Sequence, residues 1–371
     1  MSDHLGIIGG GQLGCLLHRA ATALDIPVRI ADPDPDAPGG RLPGATAVAD
    51  WPAAMAAVAD GAKVITWERE DLDATALAPW QDKVRPSCAV LQGTQDRLGY
   101  KQALADCDIA TAPWVAAQAG DTDAVLAQLD LPVMVKARRG GFDGRGQVIA
   151  RDRETLTAAL ETYASCGAIV EALMPFDDEF AALLTRGADG QIVHYPLVWT
   201  YQHEGQLAWA LAPHPREAQL AAWIRPAAER LVQHLDHVGT LAVECFRLGD
   251  KAVVNEIAPR VHNSGHWTIE GCTADQFANH VRAVWGLPLV TPEPTGVSLL
   301  RNCIGTMPSF DGADSSDIAI HDYGKQDRPK RKVGHVTVVA PDLPALIKRV
   351  DDLPAQLQAT IDTQAWTAAN N

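Results

Sequence analysis

The sequence has no long apolar run, no paired cysteines and no excess of positive charge. No apolar stretch reaches the ~20 residues that a membrane-spanning helix requires, and the first residues lack the charged and then apolar pattern of an export signal. The seven cysteines are scattered without a C-x-x-C pair, which favours reduced thiols over disulfides or zinc. The formal net charge of −15 argues against general nucleic-acid binding. We therefore expect a cytoplasmic globular protein that binds neither membranes nor nucleic acid.

The N-terminal segment has the pattern of a nucleotide-binding α/β unit, within a chain of 371 residues that is long enough for two or three packed units. An apolar strand at Leu5–Ile8 leads into the loop GGGQLG (residues 9–14), then a helix, a strand at Val28–Ala31 and Asp32. This order matches the dinucleotide fingerprint in its usual context. A tight turn in a doubly wound sheet that binds no cofactor explains the pattern equally well, and both interpretations stay open.

A glycine- and arginine-rich loop follows the strand that carries Lys136. The segment RRGGFDGRG, residues 138–146, holds four glycines and three arginines. Glycines let backbone N–H groups turn toward an anion, and the arginines supply charge. Because no Gly-Lys-Ser/Thr closes the loop, it is not a Walker loop. The pattern predicts a flexible flap over nucleotide phosphates; the alternative is a solvated basic hairpin.

Two acids occupy neighbouring strands of a predicted hairpin within residues 240–267. If the turn takes three residues (249–251), Glu244 lies directly opposite Glu256, and Val254 and Ala258 complete the shared face. The other face is also apolar, so both acids are predicted to be buried. Facing carboxylates cannot both ionise at low cost. The pair therefore predicts a site for Mg²⁺ or Mn²⁺ bound to a nucleotide; the alternative is two edge-strand glutamates facing water.

Two further segments have less specific patterns. The strand at Ala168–Val170 runs into Glu171–Met174, whose backbone is suited to face a purine edge. Near the C-terminus, YGKQDRPKRKVGH carries five basic residues between residues 325 and 332, which form either a solvated face or a phosphate site.

Taken together, these motifs resemble a known family. GIIGGGQLG, QDRLGYK, VKARRGGFDGRGQ, VECF…NEIAPRVHNSGHWTI and YGKQDRPKRKVGH are similar to N5-carboxyaminoimidazole ribonucleotide synthetases, from Leu5 to about Ala340 and in the family's order. The resemblance implies an α/β (α+β overall) ATP-grasp fold. It divides the chain into an N-terminal doubly wound parallel-sheet domain (1–98), a small mobile lid domain (99–170) and a larger C-terminal domain (171–371).

The resemblance further implies an ATP- and Mg-dependent ligase. It would join bicarbonate to 5-aminoimidazole ribonucleotide through carboxyphosphate, as a homodimer. The residues it assigns to ATP are Arg97, Lys136, Gly140, Gly141, Asp143, Gly144, Gly146, Gln147, Glu171, Ala172, Leu173, Met174, Glu179, Gln202, Asn255 and Glu256. Those assigned to the ribonucleotide are Gln12, Asp143, Arg260, His262, Asn263, Ser264, Lys325, Arg331 and Lys332. Asp143, Arg260 and His262 would be catalytic, and Glu244 and Glu256 would ligate the metal.

Three departures from the family pattern keep alternatives open. Phe142 stands where the family usually has Tyr, residues 200–202 replace an Asn-x-His pattern, and residues 207–213 lack the usual Arg and Ser. The alternatives are a formate-using ATP-grasp ligase, a non-catalytic nucleotide-binding paralogue and, from the glycine loop alone, an NAD-dependent oxidoreductase.

Overall fold

Three β-sheets with flanking helices form the computed structural model, which describes residues 3–141, 145–310 and 318–370. The mixed α/β class predicted from the sequence is confirmed. No helix within the described residues is long and apolar enough to cross a membrane.

The first sheet is parallel and carries the glycine loop. Its elements in chain order are β1 (His4–Ile8), α1 (Gln12–Ala23), β2 (Val28–Asp32), β3 (Ala45–Ala47), α2 (Trp51–Ala59) and β4 (Ala62–Trp67). The strand order is β3-β2-β1-β4, and β1 is buried along its whole length, as expected of a central parallel strand. Two helices follow, α3 (Cys88–Thr94) and α4 (Arg97–Asp106). The predicted domain boundary at residue 98 falls inside α4, whose buried face packs on the core of the large sheet described below.

The second sheet is antiparallel and carries the flap segment. Its elements are β5 (Trp114–Ala117), α5 (Thr122–Leu126), β6 (Val133–Ala137), β7 (Gln147–Ala150), α6 (Arg153–Thr162) and β8 (Ala168–Ala172), with strand order β5-β8-β6-β7. Residues 138–146 connect the paired strands β6 and β7, with Lys136 opposite Gln147. The flap segment therefore starts beside the lysine that the sequence assigned to phosphate.

The third sheet has nine strands and supplies most of the remaining site. Its elements are β9 (Asp178–Arg186), β10 (Ile192–His194), β11 (Val198–His203), β12 (Gln206–Ala212), α7 (Glu217–His234), β13 (Gly239–Leu248), β14 (Lys251–Ala258), α8 (Thr268–Gly271), α9 (Gln276–Trp285), β15 (Val297–Ile304), β16 (Ile318–Asp322), β17 (Lys332–Ala340), α10 (Leu343–Val350), α11 (Ala355–Gln358) and α12 (Thr363–Asn370). The order is β14-β13-β9-β11-β12-β15-β17-β16, with β10 added to β9. Helices α4 and α7 cover one face of the β9–β13–β14 region, which leaves the opposite face for the acids.

The β13–β14 hairpin pairs Glu244 with Glu256, but not through the predicted turn. Only residues 249 and 250 separate the strands, and the register shifts so that Asn255 is an extra residue, a β-bulge. The shorter turn alone would place the acids on opposite faces, and the bulge restores them to the same face. The prediction for Val254 was wrong, because this residue pairs with Cys245 and packs in the core on the other face.

Helix α9 joins the first sheet to the third. Its apolar face packs with α1 through Phe277 and Val281, and its His280 connects the two sheets directly. The His280 ring bonds the Thr66 hydroxyl of β4 at 2.9 Å and accepts the Thr240 N–H of β13 at 3.1 Å. These two buried hydrogen bonds fix the position of the glycine loop relative to the acidic hairpin.

Candidate active site

A cleft between the second sheet and strands β9, β13 and β14 brings together most of the residues predicted to bind ATP. The clearest link across it is Lys136, whose Nζ donates to Asn255 Oδ1 at 2.9 Å. Lys136 stands on β6 and Asn255 is the bulge residue of β14. The bulge therefore turns an amide toward the lysine as well as restoring the register of the acids.

A buried triad of charges lies at the base of this cleft. Glu171, near the end of β8, pairs through Oε1 with Lys101 Nζ at 2.5 Å and through Oε2 with Lys136 Nζ at 2.7 Å. The Lys101 side chain is 0% exposed. Burial lowers the pKa of Lys101, while the two ammonium groups hold the pKa of Glu171 below its usual value despite its burial. The triad carries one net positive charge, which suits an incoming phosphate.

Lys101 is a site residue that the sequence analysis did not select. It lies one helical turn after Arg97, on the same face of α4. That spacing of two basic residues on one helix was the available signal, but nothing local in the sequence indicates that the face is buried.

Arg97 connects the flap segment to the acidic hairpin. Its guanidinium donates to the carbonyl oxygens of Ala137 at 2.8 Å and Gly141 at 3.1 Å, and it reaches Glu256 Oε1 at 3.4 Å. Its backbone N–H also donates to the Arg138 carbonyl. Arg97 thus fixes the start of the flap segment against the predicted metal ligand.

The acids face the cleft but are less buried than predicted. The side chain of Glu244 is 23% exposed and that of Glu256 is 39% exposed. Partial burial, with Glu256 and Glu179 nearby, raises the pKa of Glu244 to about 8, and burial raises that of Glu179 to about 7. Three carboxyl groups are therefore crowded on this face, and carboxyl groups this close resist ionising together, in the manner of a cation site.

The segment predicted to meet the purine has already used two of its backbone donors. Ala172 N–H donates to the Pro113 carbonyl at 2.9 Å, and Leu173 N–H donates to the Pro132 carbonyl at 3.3 Å. Close to this segment, the rings of Phe176 and Phe246 stack with centroids 4.5 Å apart. Phe246 lies on the same face of β13 as Glu244, so an aromatic surface continues from the acids. The sequence analysis did not single out these two rings.

The glycine loop of the first sheet is filled by carboxylates of the protein itself. Glu68, just after β4, accepts the N–H groups of Gly11 and, at 2.6 Å, of Gly14, while Asp32 accepts Gly10 N–H at 2.8 Å. These donors at the start of α1 are the groups that would hold a pyrophosphate in a dinucleotide site. A Cβ on Gly11 would lie 2.6 Å from Glu68 Oε1, so the loop is glycine-rich to admit a carboxylate. The cofactor-free interpretation of the fingerprint fits, and the NAD interpretation does not.

The same loop meets the basic C-terminal segment. Lys325 Nζ donates to Gln12 Oε1 and lies 3.4 Å from the Lys332 carbonyl. Burial lowers the pKa of Lys325 to about 8. Arg331 is held by a long bond to the Gln326 carbonyl at 3.4 Å. The predicted ribonucleotide residues of the first and last parts of the chain therefore lie together.

The segment after β14 links the ribonucleotide side to the acids. Arg260 Nε lies 2.8 Å from Glu70 Oε1, and His262 Nδ1 lies 3.9 Å from Glu244 Oε1. His262 also bonds the Ser264 hydroxyl at 2.8 Å. Burial, Arg260 and Lys332 lower the pKa of His262 well below its usual value, so the ring is neutral.

Asn263 and Ser264, which are predicted to contact the ribonucleotide, use their side chains within the protein in this structure, and that contact stays a prediction. The amides of Asn263 and Asn302 bond each other reciprocally at 3.1 and 2.7 Å, and both residues are buried. Ser264 is fully buried and its hydroxyl is used by His262. Their contacts shape the loop that presents His262.

Comparison with known proteins identifies the family over nearly the whole chain. Models of a ribonucleotide synthetase preATP-grasp domain, an ATP-grasp domain and a phosphoribosylaminoimidazole carboxylase C-terminal domain match residues 2–95, 102–277 and 298–349. The N5-carboxyaminoimidazole ribonucleotide synthase of Pseudomonas aeruginosa is 36% identical over 363 residues, covering 96% of this chain and 99% of that protein. The chain belongs to the N5-carboxyaminoimidazole ribonucleotide synthase family.

Solved structures of this synthase family share the fold. The crystal structure of the Thermus thermophilus enzyme superimposes with a TM-score of 0.90 at 36% identity, covering 96% of this chain and 99% of that one. The Aspergillus clavatus synthase, in complex with ADP and 5-aminoimidazole ribonucleotide, gives a TM-score of 0.83 at 30% identity, covering 95% and 99%. The predicted ATP-grasp fold is confirmed.

Some residues assigned from the resemblance to the synthase family are not tested by these contacts. Asp143 and Gly144, with the departure at Phe142, lie outside the described residues. Gln202 lies on β11, two residues beyond Thr200, which pairs with Glu179. Gly140 and Gly146 have φ of +79° and +69°, which glycine adopts without strain. Their contacts with ATP stay predictions.

Proposed function

We propose that the chain catalyses the ATP-dependent carboxylation of 5-aminoimidazole ribonucleotide with bicarbonate, through carboxyphosphate, in purine biosynthesis. The observation that carries the proposal is the position of the two acids. Glu256 contacts Arg97 on the nucleotide side at 3.4 Å, and Glu244 faces His262 on the ribonucleotide side at 3.9 Å. A terminal phosphate held between these acids would lie where both substrates meet. The A. clavatus relative, solved with ADP and the ribonucleotide, supports this pairing of ligands.

The nucleotide side is assigned by charge. Lys101 and Lys136 supply ammonium groups for the phosphates, and Arg97 supplies a guanidinium near the terminal one. The residues proposed to complete this side are Gly140, Gly141, Asp143, Gly144, Gly146, Gln147, Glu171, Ala172, Leu173, Met174, Glu179, Gln202 and Asn255. Because the N–H groups of Ala172 and Leu173 are used within the protein, the backbone of Met174 and the segment's carbonyl groups are proposed for the purine edge.

The acids fit a divalent cation. Carboxylate oxygens are the ligands that Mg²⁺ and Mn²⁺ prefer, and Mg²⁺ commonly uses one or two carboxylates together with substrate phosphates. Within the described parts of the chain, no group of three His, Cys, Asp or Glu side chains could hold a metal alone, which matches a cation that arrives with the nucleotide. Glu244 and Glu256 would hold it, and the ion would neutralise charge on the phosphates during transfer.

The ribonucleotide side places donors around an anionic substrate. Lys325, Arg331 and Lys332 are proposed to bind its 5′-phosphate, and Gln12 lines the same site. Phosphoryl transfer from ATP to a bicarbonate oxygen gives carboxyphosphate and ADP. The exocyclic amine then attacks its carbon, or the CO2 that it releases, and phosphate leaves.

The catalytic step needs charge stabilisation more than acid–base chemistry. Arg260, oriented by Glu70 at 2.8 Å, is proposed to stabilise the carboxylating species. The neutral His262 is suited to hydrogen bonding near the reacting groups, and Asp143 is proposed to orient or deprotonate the amine. Asn263 and Ser264 are proposed to position the loop that carries His262.

Three broader assignments belong to the same proposal. The division into residues 1–98, 99–170 and 171–371 is supported by the three separate sheets, although α4 packs with the third. A reducing, cytoplasmic setting is supported by seven free cysteines. A homodimer is the expected assembly, and light scattering would test it.

One assay tests the function against its alternatives. ADP release from MgATP should require both 5-aminoimidazole ribonucleotide and bicarbonate. Release with glycinamide ribonucleotide and formate instead would identify the formate-using ligase, and MgATP binding without any release would identify a non-catalytic paralogue. The control variant is Glu229→Gln, at a partly exposed carboxylate that bonds His194 Nε2 at 2.7 Å, and it should leave ADP release unchanged.

A further inference from the structure

A cluster of four packed rings lies beneath the ribonucleotide side of the site. We call His266, His321, Tyr323 and His335 the ring cluster. His321 and His335 stack with centroids 4.3 Å apart, and His266 lies 5.1 Å from His335. Tyr323 lies 5.6 Å from His335 and 6.4 Å from His266. His266, Tyr323 and His335 are buried, so none of these three rings is open to solvent.

Each of these three rings stands next to a different substrate-binding segment. His266 follows the loop that carries His262, and its Nδ1 bonds the His262 carbonyl at 3.1 Å. Tyr323 precedes Lys325, whose Nζ lies 5.4 Å from the centre of the tyrosine ring. His335 is the fourth residue of β17, which begins at Lys332. The His262 loop and the two ends of the basic C-terminal segment therefore rest on one set of packed side chains.

The polar contacts inside the ring cluster are specific. The Tyr323 hydroxyl and His335 Nδ1 are 2.7 Å apart, and His321 Nε2 bonds Glu270 Oε1, also at 2.7 Å. Burial keeps the pKa of both His266 and His335 well below the usual value, so these rings are neutral. Apolar side chains of the same volume would fill this space without the cost of removing polar groups from water. Main-chain pairing holds this segment on β17 as far as the Tyr323 N–H, which donates to the Val333 carbonyl at 2.9 Å. The hydroxyl–imidazole bond adds a side-chain link to β17 two residues before Lys325.

We propose that Tyr323 and His335 are positioning residues for the ribonucleotide, and that their hydrogen bond sets the distance between Lys325 and the Lys332 end of β17. This inference rests on the proposed function, since those lysines are assigned to the substrate phosphate. Two cations held at a fixed separation bind a phosphate more tightly, because their side chains lose less conformational entropy on binding. Neither ring lies among the groups that contact the nucleotide side, so ATP binding should not depend on the bond.

Two variants separate the hydrogen bond from the ring packing. Tyr323→Phe keeps the ring and removes the hydroxyl. His335→Asn keeps a polar atom near the position of Nδ1 and removes the stacked ring. The control is His4→Phe, which also removes one buried hydrogen bond, from His4 Nε2 to the Val58 carbonyl at 3.1 Å. His4 lies at the start of β1, and the glycine loop lies beyond the opposite end of that strand.

The measurements are steady-state constants for both substrates, with thermal unfolding to compare stability. For Tyr323→Phe we expect KM for the ribonucleotide to rise about tenfold, with kcat and KM for ATP within threefold of wild type. We expect a smaller rise, below fivefold, for His335→Asn, and no change in either KM for His4→Phe. An unchanged ribonucleotide KM in Tyr323→Phe, or equal weakening of both substrates, would overturn the inference while leaving the proposed function intact. Absence of ribonucleotide-dependent ADP release in the wild type would overturn both.

Discussion

The Glu171 triad allows a sharp test of how the nucleotide cleft is built. The carboxylate bonds two lysines, at 2.5 Å and 2.7 Å, and the Lys101 side chain is 0% exposed. Glu171→Gln keeps the size of the side chain and removes its charge. Two ammonium groups then share a buried site with no carboxylate between them. Such a charge is costly because the protein interior solvates it poorly.

The expected magnitude follows from the burial of the triad. Removing one partner of a buried ion pair costs about 3–5 kcal/mol, mostly from the charge left without a partner. At roughly 2 °C per kcal/mol for a large domain, Tm should fall by about 6–10 °C. The deficit should shrink above neutral pH, since burial already lowers the pKa of Lys101 and loss of Glu171 lowers it further.

The assay is thermal unfolding with and without a magnesium-bound, non-hydrolysable ATP analogue. If phosphates replace the lost carboxylate, the analogue should raise Tm more in Glu171→Gln than in wild type. Glu229→Gln serves as the control, because its carboxylate is 45% exposed and should contribute little. A fall in Tm of less than 2 °C, or an analogue shift no larger than that of wild type, would refute the assignment of the triad to phosphate binding.

Three further predictions use other parts of the site. Glu256→Gln should lower ADP release at least a hundredfold, on the order of 3 kcal/mol, if the residue ligates catalytic metal; near-normal turnover would remove that role. Arg331→Ala should raise KM for the ribonucleotide and leave KM for ATP unchanged; equal weakening of both would indicate support of the fold. Burial holds the pKa of His237 at about 4 and that of His280 at about 3, so both are neutral when folded but titrate near 6.5 when unfolded. Neither ring makes stability depend on pH above about pH 6.5. Below that pH the unfolded state binds protons that the folded state does not, so stability falls by up to about 1.4 kcal/mol per pH unit for each ring until the ring protonates in the folded protein, near pH 4 for His237 and near pH 3 for His280. In His280→Gln, the free energy of unfolding measured with urea should fall less steeply with decreasing pH than in wild type. An unchanged pH dependence would exclude a contribution from His280.

The acidic pair shows which features of the site could be predicted from the sequence and which could not. Alternation of side chains placed Glu244 opposite Glu256 only for a three-residue turn, and the turn has two residues. The predicted facing is nevertheless right, because the Asn255 bulge adds the missing residue. A bulge changes which face every following side chain takes, and the sequence analysis could not detect it because Asn255 is unremarkable outside the folded hairpin. The error for Val254 comes from the turn instead, because this residue lies before the bulge, where the two-residue turn alone sets the register.

Contacts between distant parts of the chain were beyond the sequence analysis. Glu68 meets Gly14, 54 residues away, and Asn263 meets Asn302, 39 residues away. A glycine loop that binds an internal carboxylate has the same sequence pattern as one that binds a pyrophosphate. Only the position of Glu68 distinguishes them. Likewise, the spacing of Arg97 and Lys101 on α4 became meaningful only once the buried face of the helix was known.

The charge balance of the cleft explains how an acidic chain can hold two anionic substrates. In this structure the cations of the nucleotide side already have partners, since Glu171 binds Lys101 and Lys136 and Glu256 contacts Arg97. An arriving phosphate therefore exchanges one set of contacts for another, and its affinity is the difference between them. The same contacts stabilise the free protein, because Lys101, Lys136 and Arg97 are each paired with a carboxylate. It follows that removing the charge of Glu171, as in Glu171→Gln, should tighten nucleotide binding and destabilise the free protein. Both effects should appear in the same variant.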